Sequence, residues 1–399
     1  MTDTRRSIVS RVFPAVAFAL AGVCLIRAEA RAYARPDVSS GAGAAEPIIA
    51  IKADHIDTVA NGVVENGVIL IRGTKIMEIG TDVEIPRTAR VIDASDKTIF
   101  PGLVSPVSVI GLSGPQRGNA VSHPNYRVAD ELYPHQHEYA RALQAGFTTL
   151  GLVPRGQGIT GRGAVIKPVG SSRKEMLVVE TGILWIDFRA SDKMKGLVKR
   201  ALESAKGKKA SEDPAVAPLI EAVQGEIPTF LSCARAADTV HLFELIKGYD
   251  KMKPVLVAGY ENYRIADRLA ERKHPVVLAA SIEFEEFTRN RLNVPDMLSE
   301  AGVKIACMPA SAGIEDHEDF RRQMAELVKY GLSPKAARKA MTLHPAEALG
   351  VDYRVGSLEK GKDANLLILD GDVLDMMTVI HKIMIEGKIV YENPWGKTQ

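Results

Sequence analysis

The sequence predicts a mixed α/β fold, a (β/α)₈ barrel of the TIM type with a small β-sandwich built from both ends of the chain. Strand-like and helix-like runs alternate from residue 100 to 350, as parallel strands joined by crossover helices do. Short β-type runs with turn signals occupy residues 47–99 and again 351–392. A chain of 399 residues is long enough for one large domain with a small one attached.

The composition is that of an ordinary soluble globular protein. Hydrophobic residues make up 46% of the chain and charged residues 25%. The net charge is +2, and no block of basic residues is interleaved with aromatic ones, so we expect no nucleic-acid partner. Of three cysteines, Cys24 lies in the leader described next. Cys233 and Cys307 are too few for a disulfide framework, although one bridge between them is allowed.

Residues 1–32 are typical of a signal peptide. Arg5 and Arg6 precede an apolar run at residues 12–26 that is short for a membrane span, and Ala30 and Ala32 are the small residues of a cleavage site. We therefore expect export to the periplasm or another extracytoplasmic space, through either the Sec or the twin-arginine route. An uncleaved membrane anchor is the alternative, and this segment is the only expected membrane contact. Residues 33–46 read as a flexible tether.

The small β domain is predicted from strands at both ends of the mature chain. In residues 47–99, apolar alternation is interrupted by the turn signals Asn66-Gly67 and Arg72-Gly73. In residues 351–392, two strand-like runs surround Glu386-Gly387 as a hairpin turn. The two ends together predict a composite β-sandwich.

The barrel itself is predicted over residues 100–350. Its helices carry start signals such as Ser333-Pro334, an N-cap followed by proline in the first turn. For the third strand, Met176–Glu180 is an alternative to Gly163–Val169. The eight expected strands are Gly102–Ile110, Phe147–Val153, Gly163–Val169, Gly182–Phe188, Ile227–Ser232, Pro254–Ala258, Pro275–Ala280 and Val303–Met308.

Three motifs resemble one known family. They are Pro101-Gly102-Leu103 in the first barrel strand, the glycine-rich loop at residues 155–167, and SLEKGKDANLLILDGD at residues 357–372. The chain is similar to the amidohydrolase superfamily, in particular to its secreted imidazolonepropionase-like members. The resemblance implies a metal-bearing barrel with a split β domain, and hydrolysis of carbon–nitrogen bonds other than peptide bonds, such as those of cyclic amides. It also implies zinc, held by two histidines on strand one, sometimes a carboxylated lysine on strand four, one histidine each on strands five and six, and an aspartate on strand eight.

The residues of this chain at those family positions are not metal ligands. Strand four carries Trp185 and Asp187 in place of a lysine. The positions that match the other ligands are Val107 and Val109 on strand one, Ser232 on strand five, Ala258 on strand six and Ala310 after strand eight. Since a zinc site needs three or four nitrogen, oxygen or sulfur donors, we expect no metal and no other cofactor. The first hypothesis is therefore a pseudoenzyme that acts as a partner or binding subunit.

A second hypothesis is a hydrolase of cyclic amides with a rebuilt site. Its weak catalytic candidates are Cys233, His135, His137 and Lys167. Each has an ordinary structural interpretation: a buried cysteine packs as a small apolar residue, the H-x-H pair begins an exposed helix, and Lys167 ends a loop of tight glycine turns. His344 is expected to cap a helix, and the histidines expected at the surface are His55, His241, His274, His317 and His381.

Three arginines are candidates for lining a pocket at the barrel mouth: Arg155, Arg162 and Arg235. The partner expectations follow from the first hypothesis. They are an active amidohydrolase relative or a second copy of this chain. A third hypothesis is a small-molecule ligand bound in the barrel mouth without turnover.

Overall fold

The computed structural model describes residues 46–112, 121–209 and 212–394. The expected signal peptide and all but the last residue of the expected tether lie outside this part of the chain. Among the residues described, no helix has both the length and the apolar character needed to cross a membrane.

Strands form two main sheets and one small hairpin. Their bounds are β1 Ile48–Asp57, β2 Val63–Arg72, β3 Lys75–Gly80, β4 Arg90–Pro101, β5 Leu103–Ser108, β6 Val121–Ser122, β7 Phe147–Leu152, β8 Gly158–Ile166, β9 Leu177–Asp187, β10 Pro228–Cys233, β11 Lys253–Ala258, β12 Val276–Ala279, β13 Glu283–Phe284, β14 Arg291–Leu292, β15 Ile305–Met308, β16 Leu366–Leu369, β17 Ile380–Ile385 and β18 Lys388–Glu392.

Helices follow most of the strands between β7 and β16. The α-helices are α1 His137–Gln144, α2 Arg173–Met176, α3 Asp192–Ala205, α4 Ala217–Gln224, α5 Ala236–Ile246, α6 Ala266–Arg272, α7 Val294–Glu300, α8 Ile314–Glu318, α9 Phe320–Lys329, α10 Pro334–Ala340 and α11 Leu343–Ala348. Short 3₁₀ helices span Val128–Glu131, Pro214–Val216 and Tyr260–Ile265. Ser333 caps α10 as predicted, since its side chain accepts the Ala336 N–H.

Both ends of the described chain enter one seven-stranded sheet, in the order β18-β17-β16-β4-β1-β2-β3. Its buried face is rich in isoleucine, including Ile51, Ile69 and Ile99. The turns at Gly73 and Gly387 form as predicted, and both glycines have positive φ. The turn predicted at Asn66-Gly67 is wrong, because β2 continues through both residues and pairs with β1 on either side of them.

The second sheet carries the barrel strands in the order β15-β12-β11-β10-β9-β8-β7-β5, with β15 lying beside β5 so that the barrel nearly closes. The predicted α/β barrel with an added sheet domain is confirmed.

One barrel strand runs in the opposite direction to its neighbours. Strand β8 is antiparallel to both β7 and β9. Only residues 153–157 join β7 to β8, and a parallel crossover needs about a dozen residues. The chain therefore turns back at once, with Gly156 and Gly158 at positive φ. The segment that competed for the third strand, residues 176–180, belongs almost entirely to β9.

The barrel strands bury both of their faces. On β10, Phe230 packs inside the barrel, whereas Leu231 and Cys233 pack outside it against the helices. We call the apolar residues inside the barrel the inner cluster: Val104, Val107, Val153, Val165, Ile183, Trp185, Phe230, Val255, Val277, Ala306, Ala346, Ala348, Leu349, Val351 and Val355. We call the larger set between strands and helices the outer cluster. The alternation of the two clusters along each strand shows which side chains face the barrel interior.

Candidate functional site

Enzymes with this fold place their reacting groups at the carboxyl ends of the barrel strands, which we call the barrel mouth. Strands β5, β7, β9–β12 and β15 all end there, and the antiparallel β8 begins there. The inward alternation set by Phe230 and Val255 brings Ser232 and Val257 to the mouth on β10 and β11. On β9, the alternation through Ile183 and Trp185 brings Asp187 there.

The two valines of the first barrel strand form part of an apolar wall. Val107 is 4% exposed and belongs to the inner cluster, and Val109 is half-buried against it. The backbone of Val109 is fixed to the chain after β15, since its N–H donates to the Ala312 carbonyl over 3.1 Å. Aliphatic side chains at these two positions offer no lone pair to a cation.

Ser232 forms a polar pair with Asp187 across β10 and β9. The serine hydroxyl donates to the Asp187 carboxylate over 2.9 Å. Burial raises the pKa of Asp187 above its usual range, although the hydrogen bond from Ser232 and the charge of Arg189 oppose this. The pair therefore satisfies itself inside the barrel, and it supplies one carboxylate rather than a set of metal donors.

The other two positions matched to family ligands lie in different surroundings. Ala258 belongs to the outer cluster, and its neighbour Val257 is the residue that packs against the inner cluster. Ala310 is exposed after β15, and its backbone N–H donates to Gln323 over 3.0 Å. The inner position at the end of β11 is therefore held by Val257 instead of Ala258, and it too is apolar.

The donors of the described chain do not fit the zinc that the family resemblance implies. Residues 46–112, 121–209 and 212–394 contain no group of three or more His, Cys, Asp or Glu side chains arranged to hold a metal ion. At the mouth itself, Asp187 is accompanied by Ser232, Val257 and Val107. A zinc ion needs more nitrogen, sulfur or carboxylate ligands than these residues supply.

The two cysteines are buried and poorly suited to act as nucleophiles. Cys233 lies in the outer cluster, and burial raises the pKa of its thiol far above the usual range despite a hydrogen bond involving Thr239. Burial also raises the pKa of Cys307 to about 12. Both thiols are therefore protonated at neutral pH, and the thiol form reacts slowly.

The structure does not bring the remaining catalytic candidates to Cys233. His135 and His137 are exposed at the start of α1, where the ring of His135 contacts the edge of Tyr133. Lys167 directly follows β8 at the end of the barrel opposite the mouth, because β8 is antiparallel, and it forms an ion pair with Glu386 of the sheet domain.

Of the three arginines, Arg155 alone lies beside the mouth. It is half-buried, and its guanidinium makes a long contact of 3.5 Å with the Val109 carbonyl. Arg162 forms a two-pronged ion pair with Glu221 of α4, with both contacts at 2.8 Å. Arg235 is exposed and pairs with Asp238 on α5 at 3.1 Å. The last two arginines are structural partners of nearby helices.

His317 is a buried polar residue that the sequence reasoning missed. It was expected at the surface, but it is 1% exposed between α8 and β5. Its ring nitrogens contact the Gly313 carbonyl at 2.6 Å and the Ser105 hydroxyl at 3.0 Å. Burial lowers the pKa of His317 to about 4, so the ring is neutral at physiological pH. Its spacing of three residues from the buried Phe320 is the signal that could have placed it in the core.

Comparisons with known proteins agree with this architecture. The sequence model of the amidohydrolase family matches residues 233–390. The chain is 47% identical over 61 residues to N-acetylglucosamine-6-phosphate deacetylase of Danio rerio, covering 15% of this chain and 14% of that protein. It is 30% identical over 172 residues to adenine deaminase 4 of Rhizobium meliloti, covering 40% of this chain and 26% of that protein. The matched segments thus span about a quarter or less of these curated relatives.

Solved structures resemble the described chain over a longer stretch. An amidohydrolase from Thermotoga maritima has a TM-score of 0.76 and 24% identity, covering 86% of this chain and 100% of its own. A prolidase complexed with N-methylphosphonate-L-proline has a TM-score of 0.55 and 16% identity, covering 87% of this chain and 100% of its own. At these identities the likeness shows the fold.

Proposed function

Because this chain belongs to the amidohydrolase superfamily, we propose that it keeps the superfamily barrel but lacks the metal ligands, and acts as a non-catalytic partner or binding subunit. The observation that carries the proposal is the chemistry of the barrel mouth. Its inward positions hold Val107, Val257 and a self-satisfied Ser232–Asp187 pair. A hydrolytic divalent cation needs donors at these positions to bind and acidify its water.

An active hydrolase with a rebuilt site is the competing reading. The names of the relatives, deacetylase and adenine deaminase, describe hydrolytic enzymes. Such a site needs a nucleophile, a base and a positioning group within hydrogen-bond reach of each other. In this chain, Cys233 is buried on the outside of the barrel, His135 and His137 are exposed, and Lys167 lies at the other end. The described residues therefore do not bring these candidate groups together into a site.

Metal analysis of the purified full chain tests the proposal. After incubation with zinc and extensive dialysis, we expect far less than one retained zinc ion per chain. We also expect no turnover of a panel of amides, lactams and N-acetyl sugars. One retained zinc ion per chain, together with turnover that a chelator abolishes, would refute the proposal.

Two further measurements separate a binding role from a partner role. Co-purification with an active amidohydrolase relative, or self-association of the pure chain, supports the partner role. Stabilisation by a small molecule that is recovered unchanged supports binding in the mouth. A matched variant, Val109→Thr, places a hydroxyl at the mouth with little change in volume. It is expected to weaken the stabilisation by the small molecule and to leave co-purification and self-association unchanged.

Export is the remaining part of the proposal. It is supported by the charged start, the short apolar run and the small residues at the end of residues 1–32. N-terminal sequencing of the chain recovered from the extracytoplasmic fraction should begin close to Tyr33. Recovery of the intact chain from the cytoplasm would contradict export and leave the proposal about the barrel untouched.

A further inference from the structure

A large cavity opens at the end of the barrel opposite the mouth. Its volume is about 690 Å³, within the range of small-molecule binding sites. It lies where β10, β11 and β12 begin, beside the chain that follows α11. The lining near the strand starts includes Pro228, Pro254 and Pro275. Proline lacks an N–H donor, and three prolines at adjacent strand starts make this part of the wall apolar.

The floor of the cavity is the lower surface of the inner cluster. Val255 and Leu349 belong both to that cluster and to the cavity lining, and Met252 adds a flexible apolar side chain. The apolar barrel interior therefore reaches a concave surface at this end of the barrel. Burial of an apolar ligand body there is favourable by about 25 cal/mol for each Å² removed from water.

The rim carries charges that the protein does not neutralise. Glu226, Lys253 and Asp352 all line the cavity, and in the described part of the chain none of them has an ion-pair or side-chain hydrogen-bond partner. Glu347, also in the lining, differs because it pairs with Lys304 over 2.8 Å. Two carboxylates and one ammonium group thus remain available to a bound molecule.

Two further side chains shape the opening. The ring of Tyr353 is 66% exposed at the rim and offers a flat face to an apolar or cationic group. His274 lines the cavity, and burial together with the charge of Arg272 lowers its pKa, so its ring is neutral at physiological pH. The net charge of the available groups is therefore set by Glu226, Lys253 and Asp352.

We propose that this cavity binds an apolar amino acid or a close analogue, a zwitterion with an aliphatic or aromatic body. Asp352 and Glu226 receive its ammonium group, Lys253 pairs with its carboxylate, and the side chain lies on Val255, Leu349 and Met252. Charges of both signs around an apolar floor match this class of molecule better than a simple amine or a simple acid.

The proposal does not depend on the proposed function of the chain. The cavity is separated from the mouth by the inner cluster, so metal binding or turnover at the mouth says nothing about it. If the chain retained zinc, the proposed non-catalytic role would be refuted and the proposal about the cavity would stand. If the chain bound no amino acid, the proposal about the cavity would be refuted and the proposed non-catalytic role would stand.

Four ligands that share a phenyl group on a short chain but differ in their charged groups test the site. Phenylalanine carries both charges, phenethylamine only the ammonium, 3-phenylpropionate only the carboxylate, and N-acetylphenylalanine amide neither. In calorimetry on the full chain we expect phenylalanine to bind at least about tenfold more tightly than each of the others, as loss of one charge-assisted contact predicts. Equal affinity for phenylalanine and phenethylamine, or no binding of phenylalanine, would overturn the proposal.

Two variants identify the contacts, and two others serve as matched controls. Lys253→Met should weaken phenylalanine and 3-phenylpropionate but not phenethylamine, whereas Asp352→Asn should weaken phenylalanine and phenethylamine but not 3-phenylpropionate. Lys335→Met and Asp82→Asn change exposed charges outside the cavity and should alter none of these affinities. Phenylalanine binding that both cavity variants leave unchanged would place the ligand elsewhere. Circular dichroism confirms that each variant is folded.

Discussion

The two ends of the barrel differ in whether their charged side chains have partners within the protein. At the mouth, the Asp187 carboxylate is paired with the Ser232 hydroxyl. At the opposite end, Glu226, Lys253 and Asp352 line a cavity without ion-pair partners among the described residues. Polar groups that satisfy each other stabilise the fold, whereas charges left around an apolar hollow are free to bind something else. In this chain the Asp187 carboxylate at the mouth is already paired, whereas three charged groups at the opposite end are not.

The largest change in stability is expected at Phe230, one of the inner-cluster residues between the two ends of the barrel. Phe230 is fully buried inside the barrel and stacks near Trp185, with ring centroids 6.2 Å apart. Phe230→Ala should lower the free energy of unfolding by about 3–5 kcal/mol, measured by denaturant titration. Phe287→Ala, at a fully exposed phenylalanine, is the control and should change it by less than about 0.5 kcal/mol. Similar losses in both variants would show that the inner cluster is not the barrel core.

The next largest change is in the pH dependence of the free energy of unfolding, and it is expected from His317. Its pKa is lowered from 6.5 to about 4 in the folded state, so between these values the unfolded chain binds more protons. Stability should therefore rise with pH across this window, and about 3 kcal/mol should be lost on acidification from pH 6.5 to 4. His317→Gln should remove this part of the pH dependence, measured by unfolding at several pH values. His135→Gln, at an exposed histidine, should retain it.

A smaller effect is expected at the mouth pair. Ser232→Ala should cost about 1–2 kcal/mol at neutral pH, because it removes a hydrogen bond to a partly buried carboxylate. It should also raise the pKa of Asp187 further, which NMR can follow. A raised folded-state pKa means that stability falls as the pH rises above 3.8, so the variant should lose stability more steeply there.

The matched control for this pair is Ser95→Ala. Ser95 donates to Asp93 over 2.6 Å, but both residues are exposed, so the loss should stay below about 0.5 kcal/mol. If both serine variants lost the same stability, the mouth pair would be no more than an ordinary surface contact.

The smallest effect is expected at the rim of the opposite cavity. Glu226→Gln and Lys253→Met should each change the free energy of unfolding by less than about 0.5 kcal/mol, because neither side chain has a partner to lose within the described structure. Thermal and chemical unfolding without ligand provide the measurement. A loss above 1 kcal/mol would mean that these charges are structural, and the contrast between the two barrel ends would disappear.

Much of the fold was predictable because its signals are local. Apolar runs located seven of the eight barrel strands, and the third expected strand, Gly163–Val169, overlaps β8 only at residues 163–166. The turns at Gly73 and Gly387 follow from glycine in a positive-φ conformation. The direction of β8 was not predicted, although the short connection after β7 contained the necessary signal. The burial of His317 was also missed, because its one local signal, the spacing of three residues from Phe320, is weak on a helix of five residues.

The sequence by itself determined which chemical groups are available along the barrel strands: valines, a serine, alanines and few donors at the positions where the family resemblance implies ligands. Only the tertiary structure decided which of those groups meet. Ser232 faces Asp187 inside the barrel while the adjacent Cys233 faces the helices, because successive side chains of a strand point to opposite faces. Lys167 lies far from the mouth because a short connection reverses β8. Residue identity is local information, whereas the face and the end to which a residue belongs depend on how distant strands pair.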